Sequence, residues 1–170
     1  LALAAATPES DLTILDVSIN PTRTGFVEIL QDMGANIALI DEKHYGFEPV
    51  ASLKITGSAL NAIEVRPEQI PNLIDEIPVL AVVCTQAEGV TRISGAQELR
   101  LKESDRLTAI TKELNKMGAN IQETSDGLII KGPTPLFGTN VETYGDHRIA
   151  MAMAVAGSLA QGTTTINGAD

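Results

Sequence analysis

From residue 106 onward apolar positions recur every three or four residues, at Leu107, Ile110, Leu114 and Met117, with polar residues between them. This spacing predicts one amphipathic helix. Gly118 stands just past the last of them, where a glycine in the left-handed conformation ends a helix. The period then changes. Three five-residue runs, 119–123, 127–131 and 139–143, are separated by Gly, Pro and Asp turn signals and predict short strands. After them the chain is apolar on every side from Ile149 to Leu159. A helix with no polar face must be surrounded by protein.

The same order is met earlier in the chain. GFVEILQDMGANIALI at 25–40 matches RLTAITKELNKMGANIQET at 106–124, MGANI being identical. DEIPVLAVVCTQAEGVTRISGA at 75–96 parallels RIAMAMAVAGSLAQGTTTINGA at 148–169, so the second apolar helix has a counterpart at Ile77 to Ala87. One domain is expected over 1–170, made of two full units at about 25–96 and 97–170 after a partial one at about 1–24. Apolar helices beside short, half-polar strands predict an α/β (α+β) fold with helices packed inside and sheets outside. The opening LALAAAT reads as an interrupted helix, lacking the basic stretch that begins a signal peptide.

Apolar residues make up 44% of the chain and aromatics only 3%, so the core is expected to be aliphatic and alanine-rich. A formal charge of −10 argues against nucleic acid and anionic membranes as partners, because both require a basic face. No apolar run reaches the ~20 residues needed to span a bilayer. The one cysteine, Cys84, lies in the apolar run VLAVVCTQA and reads as a buried thiol. Without disulfides, a reducing compartment and hence the cytoplasm are the natural expectation.

Against that background, with 12 Lys and Arg to 22 Asp and Glu, two helix starts carry arginine. In GDHRIA, Asp146 stands at the N-cap position and puts His147 and Arg148 in the first turn. In KESDRL, Ser104 or Asp105 is the cap and Arg106 follows. A cation there opposes the helix dipole by ~0.3–1 kcal/mol, so two such placements ask for a compensating anion. Free amides and a guanidinium fork suit a phosphate or carboxylate. The plainer reading pairs each arginine with its neighbouring aspartate, worth about 0–1 kcal/mol at a surface. Asp75, which the repeat aligns with Arg148, taken alone reads as a helix cap. Together Asp75, Lys102, Glu103, Arg106, His147 and Arg148 supply cations for an anionic ligand and carboxylates able to move protons. No phosphate-binding glycine loop, dinucleotide fingerprint or nucleophile elbow occurs, and two His with one Cys do not make a usual zinc site. The acidic residues are scattered, so no metal is expected, and His44 reads as turn or surface.

The segments LRLKESDRL, YGDHRIAMAMAVA, NPTRTGF and NLIDEIPVLA resemble the corresponding segments of the 5-enolpyruvylshikimate-3-phosphate synthase family, along the whole of 1–170. The resemblance implies transfer of the enolpyruvyl group of phosphoenolpyruvate to the 5-hydroxyl of shikimate 3-phosphate, with release of phosphate through a tetrahedral intermediate and no cofactor. It implies a monomer of two domains, each an inside-out α/β barrel of three sheet-helix repeats, with the active site closing between them. This chain corresponds to most of the C-terminal domain. On that resemblance it is expected to lack the N-terminal domain, its partner in the site, and a final strand and helix carrying another phosphoenolpyruvate-binding lysine. Alone it is expected not to turn over.

Carried over residue by residue, the resemblance makes Asp75 the base facing the shikimate hydroxyl and Glu103 the carboxylate that exchanges a proton with the methylene. Lys102 completes the catalytic set and, with Asp75, meets shikimate 3-phosphate. Arg106 and Arg148 would grip the phosphate and carboxylate of phosphoenolpyruvate, with Asp146 and His147 beside them. Glu98 stands where some members carry an amide contact to the shikimate phosphate, and Arg23 receives no role. Two other readings are weighed: the related transferase acting on UDP-N-acetylglucosamine, and a non-catalytic anion-binding domain of the same fold.

Overall fold

The two MGANI segments stop two helices in the same way. In the computed structural model, which describes residues 1–169, α2 (Gly25–Asp32) and α4 (Arg106–Lys116) each pass through a methionine to a glycine at positive φ. The angles are 95° at Gly34 and 93° at Gly118. Side chains disfavour that region, so glycine carries both reversals. The surrounding bonds recur as well. The amide of Ala35 donates to the Leu30 carbonyl at 2.8 Å, as that of Ala119 does to Leu114 at 3.0 Å. Gln31 Nε2 donates to the Ile37 carbonyl at 3.0 Å, and Asn115 Nδ2 to that of Ile121 at 3.1 Å.

Helices and strands are mixed throughout. β1 (Asp11–Ser18), β2 (Asn36–Tyr45) and β3 (Glu48–Thr56) form an antiparallel sheet in the order β1-β3-β2. β4 (Glu64–Val65), β5 (Gly89–Ile93), β6 (Asn120–Glu123) and β7 (Leu128–Gly132) form a second in the order β4-β5-β7-β6, with β4 parallel to β5. β8 (Asn140–Glu142) and β9 (Thr165–Asn167) pair in parallel.

The β6–β7 hairpin has the short strands expected of each unit, but β2 and β3 run to 10 and 9 residues. The extra length follows a change of register between Ile40 and Lys43, matched on β1 between Ile14 and Val17. Asp16 and Asp41 adopt positive φ at these bulges, and Lys43 Nζ reaches Asp16 Oδ1 at 2.6 Å. Bulges bend the ribbon, so its far half leaves the core and exposes Tyr45 and Phe47. Strand pairing holds that half, which is why its apolar pattern was no guide to its length.

α3 (Ile77–Cys84) packs against α1 (Ala2–Ala6), α4, α5 (His147–Leu159) and β7. Ile77, Leu80, Ala81, Val82 and Val83 are all fully buried, as a helix without a polar face requires. The helix stops at Cys84 and not at Ala87, because the amides of Gln86 and Ala87 turn back to the carbonyls of Val83 and Cys84. Cys84 is buried as expected, and burial pushes its thiol up to about 12, against a small opposing contribution from Thr91.

α5 corrects the expectation of full enclosure. Ile149, Ala152, Met153 and Ala156 are buried, yet Met151 is 52% exposed and Ala154 and Ser158 face outward. Alanine costs little in water, so an apolar run built on alanine does not require cover on every side. No helix among the described residues is long and apolar enough to cross a membrane.

Candidate active site

Asp105 caps α4 by accepting the Thr108 amide at 3.1 Å, and Asp146 caps α5 by accepting the Arg148 amide at 2.9 Å. Ser104 is thereby released from capping. Its hydroxyl donates to Asp146 Oδ2 at 3.0 Å. Asp75, read alone as a cap, lies in the 3₁₀ turn Ile74–Glu76 ahead of α3 and caps nothing. Its carboxylate faces two guanidinium groups instead.

The simple pairing of each arginine with its neighbouring aspartate does not occur. Asp105 takes Arg100, at 2.9 Å, and leaves Arg106 to longer-range partners. Arg106 is only 2% exposed, with Nε donating to Asp146 Oδ2 at 2.8 Å and Nη2 meeting Glu103 Oε2 at 2.5 Å. Its Nη1 lies 3.5 Å from Asp75 Oδ1. A buried guanidinium is tolerable when its donors are met in this way. Burial pushes the Asp146 carboxyl up, but the bonds from Arg106, the Arg148 amide and Ser104 outweigh it and hold the group below its ordinary range.

Arg148 is held more loosely and its side chain is 26% exposed. Nη2 lies 3.4 Å from Asp75 Oδ2, and Nη1 lies 3.4 Å from Glu76 Oε1. The two positions that the sequence match aligns, Asp75 and Arg148, thus carry opposite charge and meet each other. His147 is mostly exposed, with Nδ1 3.8 Å from Glu103 Oε1.

Asp75, Glu103, Arg106, Asp146, His147 and Arg148 therefore come together from three helix starts. Lys102 stands apart, its Nζ bound to Glu98 Oε1 at 2.6 Å. Four carboxylates surround two guanidiniums, so the cluster is net negative as it stands. An anion would have to displace a carboxylate from Arg148, or from the outer nitrogens of Arg106, before taking its place. A cleft of about 290 Å³ opens beside Asp75 and Arg148, walled by Phe26, Val79, Met151 and Val155. A larger groove of about 440 Å³ runs between α2 and the first sheet, is mainly apolar, and has Arg23 and Glu76 at its rim. The dense chemistry lies at the smaller opening.

Sequence reasoning missed Glu76 and Ser104. Their adjacency to Asp75 and Asp105 was the available signal, but which side chain turns inward depends on the 3₁₀ turn and on which of Ser104 and Asp105 caps α4. Among the described residues no group of three or more His, Cys, Asp or Glu side chains is disposed to hold a metal ion.

Residues 1–170 match the family described as EPSP synthase (3-phosphoshikimate 1-carboxyvinyltransferase). The chain is 52% identical over 169 residues to the 3-phosphoshikimate 1-carboxyvinyltransferase of Thermosynechococcus vestitus, covering 99% of this chain and 38% of that protein. It is 50% identical over 170 residues to the protein of that name from Desulforamulus reducens, covering 100% of this chain and 40% of the relative. Among solved structures, EPSP synthase from Acinetobacter baumannii superposes with a TM-score of 0.95 at 41% identity, over 99% of this chain and 40% of that one. The enolpyruvyl transferase NikO from Streptomyces tendae shares the fold, with a TM-score of 0.75 at 21% identity, over 99% of this chain and 36% of its own. This chain spans about 40% of the length of the curated relatives it matches.

Proposed function

The chain belongs to the EPSP synthase (3-phosphoshikimate 1-carboxyvinyltransferase) family, and we propose that the full-length protein transfers the enolpyruvyl group of phosphoenolpyruvate to the 5-hydroxyl of shikimate 3-phosphate. The observation that carries this reading is the convergence of Asp75, Glu103, Arg106, Asp146 and Arg148, drawn from three helix starts, within ion-pair distance of one another.

In this proposal Asp75 accepts the proton of the attacking hydroxyl as the new C–O bond forms at C2 of phosphoenolpyruvate. Glu103, protonated at the outset, delivers its proton to the methylene carbon to give the tetrahedral intermediate. It takes one back as the C–O bond to phosphate breaks, while the hydroxyl proton held by Asp75 passes to the departing phosphate. Arg106 and Arg148 stabilise the negative charge of the phosphate and carboxylate throughout, which preorganised guanidiniums do without reorganising solvent. Asp146 orients Arg106, and His147 lies at the open side of Glu103. Lys102 would exchange Glu98 for the phosphate of shikimate 3-phosphate.

The same proposal covers the organisation of the chain: a partial unit at about 1–24 and full units at about 25–96 and 97–170, arranged as part of an inside-out barrel. The largely buried α3 and the recurring bonds of the two helix ends support it. The remaining site residues would come from an N-terminal domain. A cytoplasmic monomer is proposed on the family likeness and the single thiol.

The test is phosphate release from phosphoenolpyruvate by the full-length protein, with shikimate 3-phosphate or UDP-N-acetylglucosamine as acceptor. Release with shikimate 3-phosphate alone is the expected result. Release with the aminosugar alone would transfer the assignment to that reaction. Silence with both, from protein that still binds phosphoenolpyruvate, would leave the non-catalytic anion-binding reading.

A further inference from the structure

Outside the cluster of the two arginines lies a second buried carboxylate that the proposed chemistry does not use. Glu113, on α4, is fully buried, and its partners lie mostly off its own helix. Its Oε2 accepts from Lys116 Nζ at 2.7 Å and from the Glu142 amide at 3.1 Å, while Oε1 accepts from the hydroxyl of Tyr144. Burial pushes its carboxyl up, and these bonds more than compensate, holding it below the ordinary range. An apolar side chain would fill the position without the cost of desolvating a charge. The carboxylate must therefore do something that packing does not.

What it holds is the turn before α5. Tyr144 and Gly145 both adopt positive φ, 57° and 70°, and the Asp146 amide closes the turn onto the Thr143 carbonyl at 3.0 Å. Glycine reaches that region freely. Tyrosine does so only where its surroundings over-determine it. Here the hydroxyl is fixed by Glu113, and the ring lies under Lys112 Nζ, 5.7 Å from its centre. One residue past the turn, Asp146 must meet Arg106, Ser104 and the Arg148 amide at once.

We propose that Glu113 is a positioning residue. Through Tyr144 and the Glu142 amide it fixes the left-handed turn that aims the Asp146 carboxylate at Arg106 and the Arg148 guanidinium at the anion site. The kinetic consequence rests on the reading of Arg148 as a phosphoenolpyruvate-binding residue; the structural consequence does not.

The experiment uses the full-length protein with Tyr144→Phe, Glu113→Ala and Glu113→Gln. Amide hydrogen exchange at 145–148 is expected to quicken about tenfold in Tyr144→Phe and Glu113→Ala, with the sheets unaffected. Glu113→Gln, which keeps an acceptor for Tyr144, is expected to fall nearer the wild type. In enolpyruvyl transfer, KM for phosphoenolpyruvate is expected to rise roughly five- to tenfold in Tyr144→Phe with kcat within about twofold, the pattern of lost uniform binding. Unchanged exchange at 145–148 in both Tyr144→Phe and Glu113→Ala overturns the proposal. So does quickening spread evenly through α4, α5 and the sheets, which would mark a general structural role. A protein that transfers nothing would sink the proposed function, and the exchange result would still decide this one.

Discussion

Arg106 and Arg148 occupy the same place in two helices, the first turn after an aspartate cap, and the structure uses them differently. Arg106 is buried under three carboxylates, two of them at 2.8 Å or less. Arg148 has no contact to a carboxylate closer than 3.4 Å and keeps a quarter of its side chain in solvent. The distinction arises from depth. Asp146 turns inward and takes Arg106 with it, whereas Asp75 and Glu76 meet Arg148 at the rim of the cleft. One guanidinium knits the helix starts together, and the other is free to exchange partners.

The largest expected effect therefore belongs to Arg106. Replacing it with Ala strands Asp146 as a buried charge and is expected to cost ~3–5 kcal/mol, read by chemical denaturation of the full-length protein. Arg148→Ala should cost no more than about 1 kcal/mol, as for an exposed pair. Equal losses would erase the difference between the two arginines.

The acid limb of stability isolates the inner pair. Asp146 and Glu113 have folded-state values below their ordinary ones, so their contribution is complete above the ordinary carboxylate range of about 4 and is lost as pH falls through the depressed values. Asp146→Asn is expected to lower stability at pH 7 and to flatten its decline below about pH 4. An unchanged acid limb would show that Asp146 is not held as described.

Function should separate the pair in the other direction. Arg148→Lys, which keeps the charge but loses the fork, is expected to weaken phosphoenolpyruvate binding about tenfold at nearly constant stability. Unaltered affinity would remove Arg148 from the anion site. The smallest effect is expected from Glu76→Gln. Relieving one competitor for Arg148 should tighten phosphoenolpyruvate binding by no more than about threefold and more at low salt.

Much of this was legible before the structure. The repeated MGANI, the glycine at 118, the cap at Asp146 and the choice of Ser104 or Asp105 as the other cap are local, and short-range rules reach them. Partner choice is not local. Nothing in LysGluSerAspArg says that Lys102 turns to Glu98 while Glu103 turns to Arg106, because the 3₁₀ turn ahead of α4 decides it. Nor did the sequence mark Glu113, whose polar type on an amphipathic helix suggests solvent. Nor did it mark Tyr144, because a bulky aromatic side chain argues against the left-handed conformation found there.

The burial of Cys84 has a practical consequence. With its thiol pushed up to about 12 by burial and its sulfur enclosed by α3 and its neighbours, the residue is a built-in clock for unfolding. An alkylating reagent can reach it only when the helix layer parts. At modest reagent concentration the labelling rate reports the fraction of molecules with that layer open, and at saturation it reports the rate of opening. A ligand that draws the three helix starts together should slow the clock, so occupancy of the rim can be timed from a single atom at the centre.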